Sequence, residues 1–83
     1  MDTCYLGESF EKKFKVNKGT VTTASFKVFR PDGTIQDQGL MGVDNNVISF
    51  RFTPDTAGTH TLDITYVTGQ DIWRTPFLMD VKP

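Results

Sequence analysis

The sequence predicts an all-β fold, a sandwich of six to seven short antiparallel strands, and three observations predict it. Apolar and polar residues alternate at period two in five separate segments, the signature of strands with one dry face and one wet face. Clusters of Gly, Pro, Asn and Asp separate those segments at the short intervals expected of an antiparallel sheet protein. No window carries the i, i+3, i+4, i+7 stripe of an amphipathic helix. At 83 residues the chain has room for one core, so it reads as a single domain over 1–83. Residues 1–7 are expected to form a loosely ordered lead-in.

The elements follow in order. Phe10, Phe14 and Val16 share one parity, while Glu11, Lys13 and Lys15 hold the other. Asn17-Lys18-Gly19 then turns the chain into a second segment, where Ala24, Phe26 and Val28 oppose Ser25 and Lys27. Pro31-Asp32-Gly33 is the next turn, with Pro presetting φ and Gly free to take a positive value. From Thr34 to Met41 the pattern is polar, interrupted by Gly39 and poorly alternating, which suits an edge strand. After Asp44-Asn45-Asn46, Ile48, Phe50 and Phe52 alternate with Ser49 and Arg51. Beyond Pro54 and Gly58, Leu62, Ile64 and Tyr66 alternate with Thr61, Asp63 and Thr65. Thr68-Gly69-Gln70-Asp71 leads into the last segment, where Phe77, Met79 and Val81 share the inward parity. Pro76 cannot donate to a ladder, so that strand is expected to be irregular or at an edge until it has passed this residue.

Composition narrows function by exclusion. Nine basic residues against 10 acidic ones leave a net charge of −1, with no single-sign field to gather nucleic acid or an anionic membrane. Lys12, Lys13, Lys15 and Lys18 form the one basic cluster, read as the solvated face of a strand that also discourages self-pairing, so the isolated chain is expected to be monomeric. Aromatic residues fall on the inward parity rather than on a basic face, which argues further against nucleic-acid binding. No apolar run is long enough to cross a bilayer as a helix, and the segment Met1-Asp2-Thr3-Cys4-Tyr5 lacks the pattern of a signal peptide. Cys4 is the only cysteine, so the chain makes no internal disulfide and no multi-thiolate metal site. A chain of this size also reads as a domain of a larger protein.

Catalytic groups are sparse. One His and one Cys allow a Cys4–His60 dyad on paper, but nothing marks Cys4 as activated, and a small sandwich has no cleft of its own. Asp44, Asn45 and Asn46, with Asp32 or Asp71, supply oxygen ligands of the kind Ca²⁺ takes, although solvated turn residues are the simpler reading. Neither a phosphate-cradling Gly loop nor a zinc spacing occurs, and no cofactor is expected. Trp73 beside Arg74 has two readings, a plug for the core or an exposed interface anchor.

The run Phe52-Thr53-Pro54-Asp55-Thr56-Ala57-Gly58-Thr59-His60-Thr61-Leu62-Asp63-Ile64-Thr65-Tyr66, followed by Gly69, Ile72 and Thr75-Pro76-Phe77, resembles the C-terminal half of a filamin-type immunoglobulin-like repeat. The likeness lies mainly over residues 50–83, and Arg74-Thr75-Pro76-Phe77 stands where filamins usually show Gly-Ser-Pro-Phe. The loose Pro-x-x-x-Gly-x-His turn is similar as well to that of bacterial and phage-encoded immunoglobulin-like domains. The resemblance implies an immunoglobulin-like sandwich, with Pro54 and Gly58 shaping a corner loop. His60 would then stand where such folds often place a Tyr that bonds back to the loop, and Asp55 would accept amide hydrogens from that loop.

Two functions are expected from these readings. The first is a non-catalytic structural or protein-interaction module, one domain of a larger protein or assembly, holding a protein partner through the edge strand at Thr34, Ile35, Gln36, Asp37, Gln38 and Leu40. The alternative is a domain displayed on a virion, as phage decoration or tail, or on a cell surface, adhering weakly to host protein or carbohydrate. The chain is accordingly expected to be soluble, in the cytoplasm or on such a surface.

Overall fold

In a computed structural model of the chain, which describes residues 2–83, the protein is all-β. Eight strands form: β1 (Asp2–Tyr5), β2 (Phe10–Lys15), β3 (Val21–Phe29), β4 (Ile35–Leu40), β5 (Gly42–Asp44), β6 (Val47–Phe52), β7 (Gly58–Thr68) and β8 (Asp71–Lys82). They make a five-stranded sheet in the order β1-β8-β7-β3-β4 and a three-stranded sheet in the order β2-β6-β5.

The inward parities read from the sequence are the ones buried. Val28, Ile48 and Leu62 are wholly enclosed, and Phe26, Phe50, Phe52, Ile64, Tyr66, Met79 and Val81 complete a core shared by both sheets. Aromatic pairs bridge the sheets. Phe26 stacks on Phe50 at 4.3 Å between centroids, and Phe14 stacks on Phe77 at the same spacing. A buried ring such as Phe26 or Phe50 is worth about 1.5–3 kcal/mol by burial alone and half-buried Phe14 and Phe77 less, so these contacts hold the two sheets face to face.

Four expectations need correction. The strand count exceeds the one expected, in part because the edge segment is divided: β4 belongs to the large sheet, β5 to the small one, and buried Met41 is the single residue between them. Thr34 lies in the turn before β4, where its backbone N–H donates to Asp32 Oδ1. The pairing is also not wholly antiparallel. β1 runs parallel to β8, with Asp2 opposite Met79 and Tyr5 opposite Lys82, so most of the segment expected to be a loose lead-in is built into the large sheet. Within that segment Cys4 is buried, and Glu8 Oε1 accepts from the Tyr5 amide at 2.6 Å to turn the chain toward β2. Met1 lies outside the described residues.

Turn chemistry sets the registers. Asn45 and Asn46 have φ of 50° and 64°, the paired left-handed conformation of the tight turn that brings Asp44 opposite Val47. In the β7–β8 hairpin, Gly69 takes φ 60° and closes Thr68 on Asp71. Pro76 faces Asp63 on β7, and its other flank is open because the pairing of β1 with β8 begins only at Met79.

Candidate functional site

β4 is an edge of the large sheet, hydrogen-bonded to β3 alone. Its residues are not equally available. Gln36 is tied to the β6–β7 loop, donating through Nε2 to Thr53 O at 2.7 Å and accepting from the Asp55 amide. Asp37 is half-buried, and its Oδ1 accepts from the Gln38 amide at 2.9 Å. A carboxylate spent in this way guards the middle of the edge against pairing. The far end is open: Leu40 is 84% exposed, and beside it Gly39 brings bare backbone against the ring of buried Phe26. Ile35, at the other end, is partly exposed, and its carbonyl is taken by Arg30.

Register carries this end of β4 onto the outer face of the sheet. Leu40 pairs with Ser25, Ser25 with Thr65, and Thr65 with Arg74; Gln38 pairs with Lys27, which faces Asp63. The resulting groove has a volume of about 500 Å³, with Leu40 and Gln38 on one side and Arg74 on the other. Arg74 is mostly exposed and donates to Asp63 Oδ2 at 2.7 Å.

Trp73 and Arg74 therefore do not act as a pair. Adjacent residues on a strand face opposite ways, and Trp73 faces Tyr66 on the inner side, where it packs against the core. Its indole N–H donates to Thr68 Oγ1 at 2.9 Å, and the Lys18 ammonium lies 4.1 Å from its ring centroid. The period-two count already places Trp73 with Phe77, Met79 and Val81, a signal sufficient to separate it from Arg74.

The Pro54, Gly58 and His60 corner is brought together as a structural unit. Pro54 and His60 are fully buried, and His60 Nδ1 lies 3.2 Å from Gly58 O. Asp55 takes another role than the loop-amide acceptor expected of it. Arg30 donates to it from Nε and Nη2, the latter at 2.8 Å, while Nη1 reaches Thr34 Oγ1 and Ile35 O. This holds the Asp55 carboxyl well below the usual range, at about 2. Sequence reasoning did not find Arg30, because its partners lie up to 25 residues away and no local pattern announces them.

Cys4 donates to Met79 Sδ at 3.6 Å and makes no hydrogen bond to His60, whose Nε2 has no partner among the described residues. Burial, then Glu8 and Asp80, push the Cys4 thiol pKa up, the reverse of an activated nucleophile. The Ca²⁺ constellation is not assembled either. Asn46 spends its carboxamide on the backbone, accepting from Val21 N and donating to Val16 O and Gly19 O. Asp32 lies beyond the other end of β3 and bonds Thr34. Among the described residues no three or more His, Cys, Asp or Glu side chains are grouped to hold a metal ion.

No family model and no curated protein matches the chain. Two solved structures are similar to it. The crystal structure of CopC from Methylosinus trichosporium OB3b aligns with a TM-score of 0.73 at 15% identity, over 99% of this chain and 83% of that one. A putative glycoside hydrolase from Bacteroides vulgatus ATCC 8482 aligns with a TM-score of 0.56 at 18% identity, over the whole of this chain but only 17% of that one. At these identities the likeness is one of fold alone.

Proposed function

We propose that the chain is a non-catalytic interaction module of immunoglobulin-like build, one domain of a larger protein or assembly, which holds an extended segment of a protein partner against the open end of β4. The observation that carries this reading is the conjunction at that edge. Unpaired backbone, an 84% exposed Leu40 and a groove ending in Arg74 lie side by side. Main-chain bonds to an added strand supply affinity in this mode, and alternate side chains reaching the adjoining face supply selectivity. The filamin-type resemblance supports the same edge-pairing mode. The buried, hydrogen-bonded Cys4 thiol, with its pKa raised by burial, fits a module without catalysis.

Titrating the 15N-labelled chain with a synthetic peptide of alternating Val and Thr residues tests this. The expected result is amide shifts concentrated at 38–40, intermolecular contacts to β4, and a stronger response in Asp37→Ala, where the Gln38 amide is freed. Shifts confined to other edges, or none in either protein, would overturn the reading.

A further inference from the structure

We propose that Cys4, Met79 and His60 form a binding site for one soft monovalent cation of the Cu(I) or Ag(I) type, on the inner face of the large sheet and reached from the side where β1 and β2 lie. Three neighbouring strands, β1, β8 and β7, each contribute one donor. Cys4 Sγ is 3.6 Å from Met79 Sδ. His60 is directly opposite Met79 in the β7–β8 register, and both side chains are buried on the same face. Cross-strand partners place their Cβ atoms about 4.5–5.5 Å apart, so Met79, already in contact with the Cys4 thiol, is also the immediate cross-strand neighbour of His60.

The histidine supplies the second, independent observation. A carbonyl only accepts, so the contact of Nδ1 with Gly58 O assigns the ring proton to Nδ1 and leaves Nε2 with its lone pair. That nitrogen is wholly enclosed and has no hydrogen-bond partner among the described residues. An imidazole held through Nδ1–H by a backbone carbonyl, with Nε2 free, has the tautomer and orientation that metal-ligating histidines take. Leaving such a buried group without a partner is unfavourable, and an ion at Nε2 removes that cost.

The donor set selects the ion. A thiol, a thioether and an imidazole are soft or borderline donors, a combination suited to Cu(I) rather than to Ca²⁺ or Mg²⁺. Access comes from a cleft of about 370 Å³ whose lining includes both Cys4 and Met79. Glu8 and Glu11 line it as well, so carboxylates draw a cation inward, while Asp2 and Lys12 neutralise each other in an ion pair. The unbranched Met79 side chain can close on the ion by rotation about its own bonds. On binding, the Cys4 S–H bond is replaced by a sulfur–metal bond, the proton leaves to solvent, and no electron is transferred.

The test is an anaerobic titration of the whole chain with Cu(I) supplied from a chromophoric chelator, repeated with redox-inert Ag(I), while the His60 ring 15N resonances are followed. The expected result is transfer of one ion per chain and a large shift of the Nε2 resonance with Nδ1–H retained. Both are lost in Cys4→Ser and in Met79→Leu, the latter preserving core volume. Should Cys4→Ser fail to fold, Met79→Leu and the wild-type histidine resonances decide. No transfer from the chelator, transfer that leaves the His60 ring unmoved, or full retention of the ion by Met79→Leu would each overturn the site.

Discussion

Gly58 faces the ring of Pro31 so closely that a Cβ on it would lie 2.8 Å from Pro31 Cγ. The contact joins the start of β7 to the loop after β3, and it is made with φ at 117°, a conformation essentially restricted to glycine. Gly58→Ala is expected to lose about 1–3 kcal/mol from conformation, with the collision added. Urea unfolding of Gly58→Ala and of the Pro31→Ala/Gly58→Ala double variant checks this. The second change should restore the share due to the collision and leave the conformational share.

Asn46 joins the β5–β6 turn to the chain between β2 and β3 through its carboxamide, with Val21 N as the donor it satisfies. Asn46→Gly keeps the left-handed backbone and removes those bonds, so its effect isolates their value. A loss of about 1–3 kcal/mol is expected, because the Val21 amide is partly buried and would be left without its acceptor. Hydrogen exchange should show the Val21 amide losing protection ahead of the strand centres, whereas unchanged protection there would count against this role.

The Arg30–Asp55 pair gives stability a pH dependence of known sign. Its folded pKa, about 2, lies below the ordinary value of 3.8, so the unfolded chain binds this proton more readily. The contribution is fully present above the ordinary value and disappears as pH falls through the folded one. Both partners are substantially exposed, so the effect is modest and weakened by salt. Denaturation curves measured between pH 5 and about 2 should fall less steeply for Asp55→Asn than for the wild-type chain.

The alternation in β3, β6, β7 and β8 was enough to identify most of the core side chains, because a strand with one dry face repeats its pattern locally. β1 was not legible for a related reason. Its four residues carry a single inward side chain, Cys4, and its partner lies at the other end of the chain. The division of the edge segment was hidden in Leu40 and Met41, two adjacent apolar residues of which one faces solvent and the other the core. That is where the backbone leaves one sheet for the other. For the candidate sites, the open end of β4 was visible as a polar, Gly-interrupted stretch. Its neighbours in the groove, Arg74 above all, were not, since cross-strand register assembles them. The Cys4–Met79–His60 grouping draws on three strands, of which β1 was unrecognised, so no spacing in the sequence could have revealed it.

The parallel ladder between β1 and β8 also determines how the domain would bear tension. Asp2 starts one strand beside Met79 and Lys82 ends the other beside Tyr5, so a pull on the two ends in opposite directions acts along the ladder rather than across it. The bonds from Asp2 to Tyr5, together with that from Leu6 N to Lys82 O, share the load and must slide together. An antiparallel pair pulled from the same end would instead open like a zip, its bonds breaking in succession. Placed in series in a longer chain, this domain would yield abruptly at a high force rather than gradually at a low one.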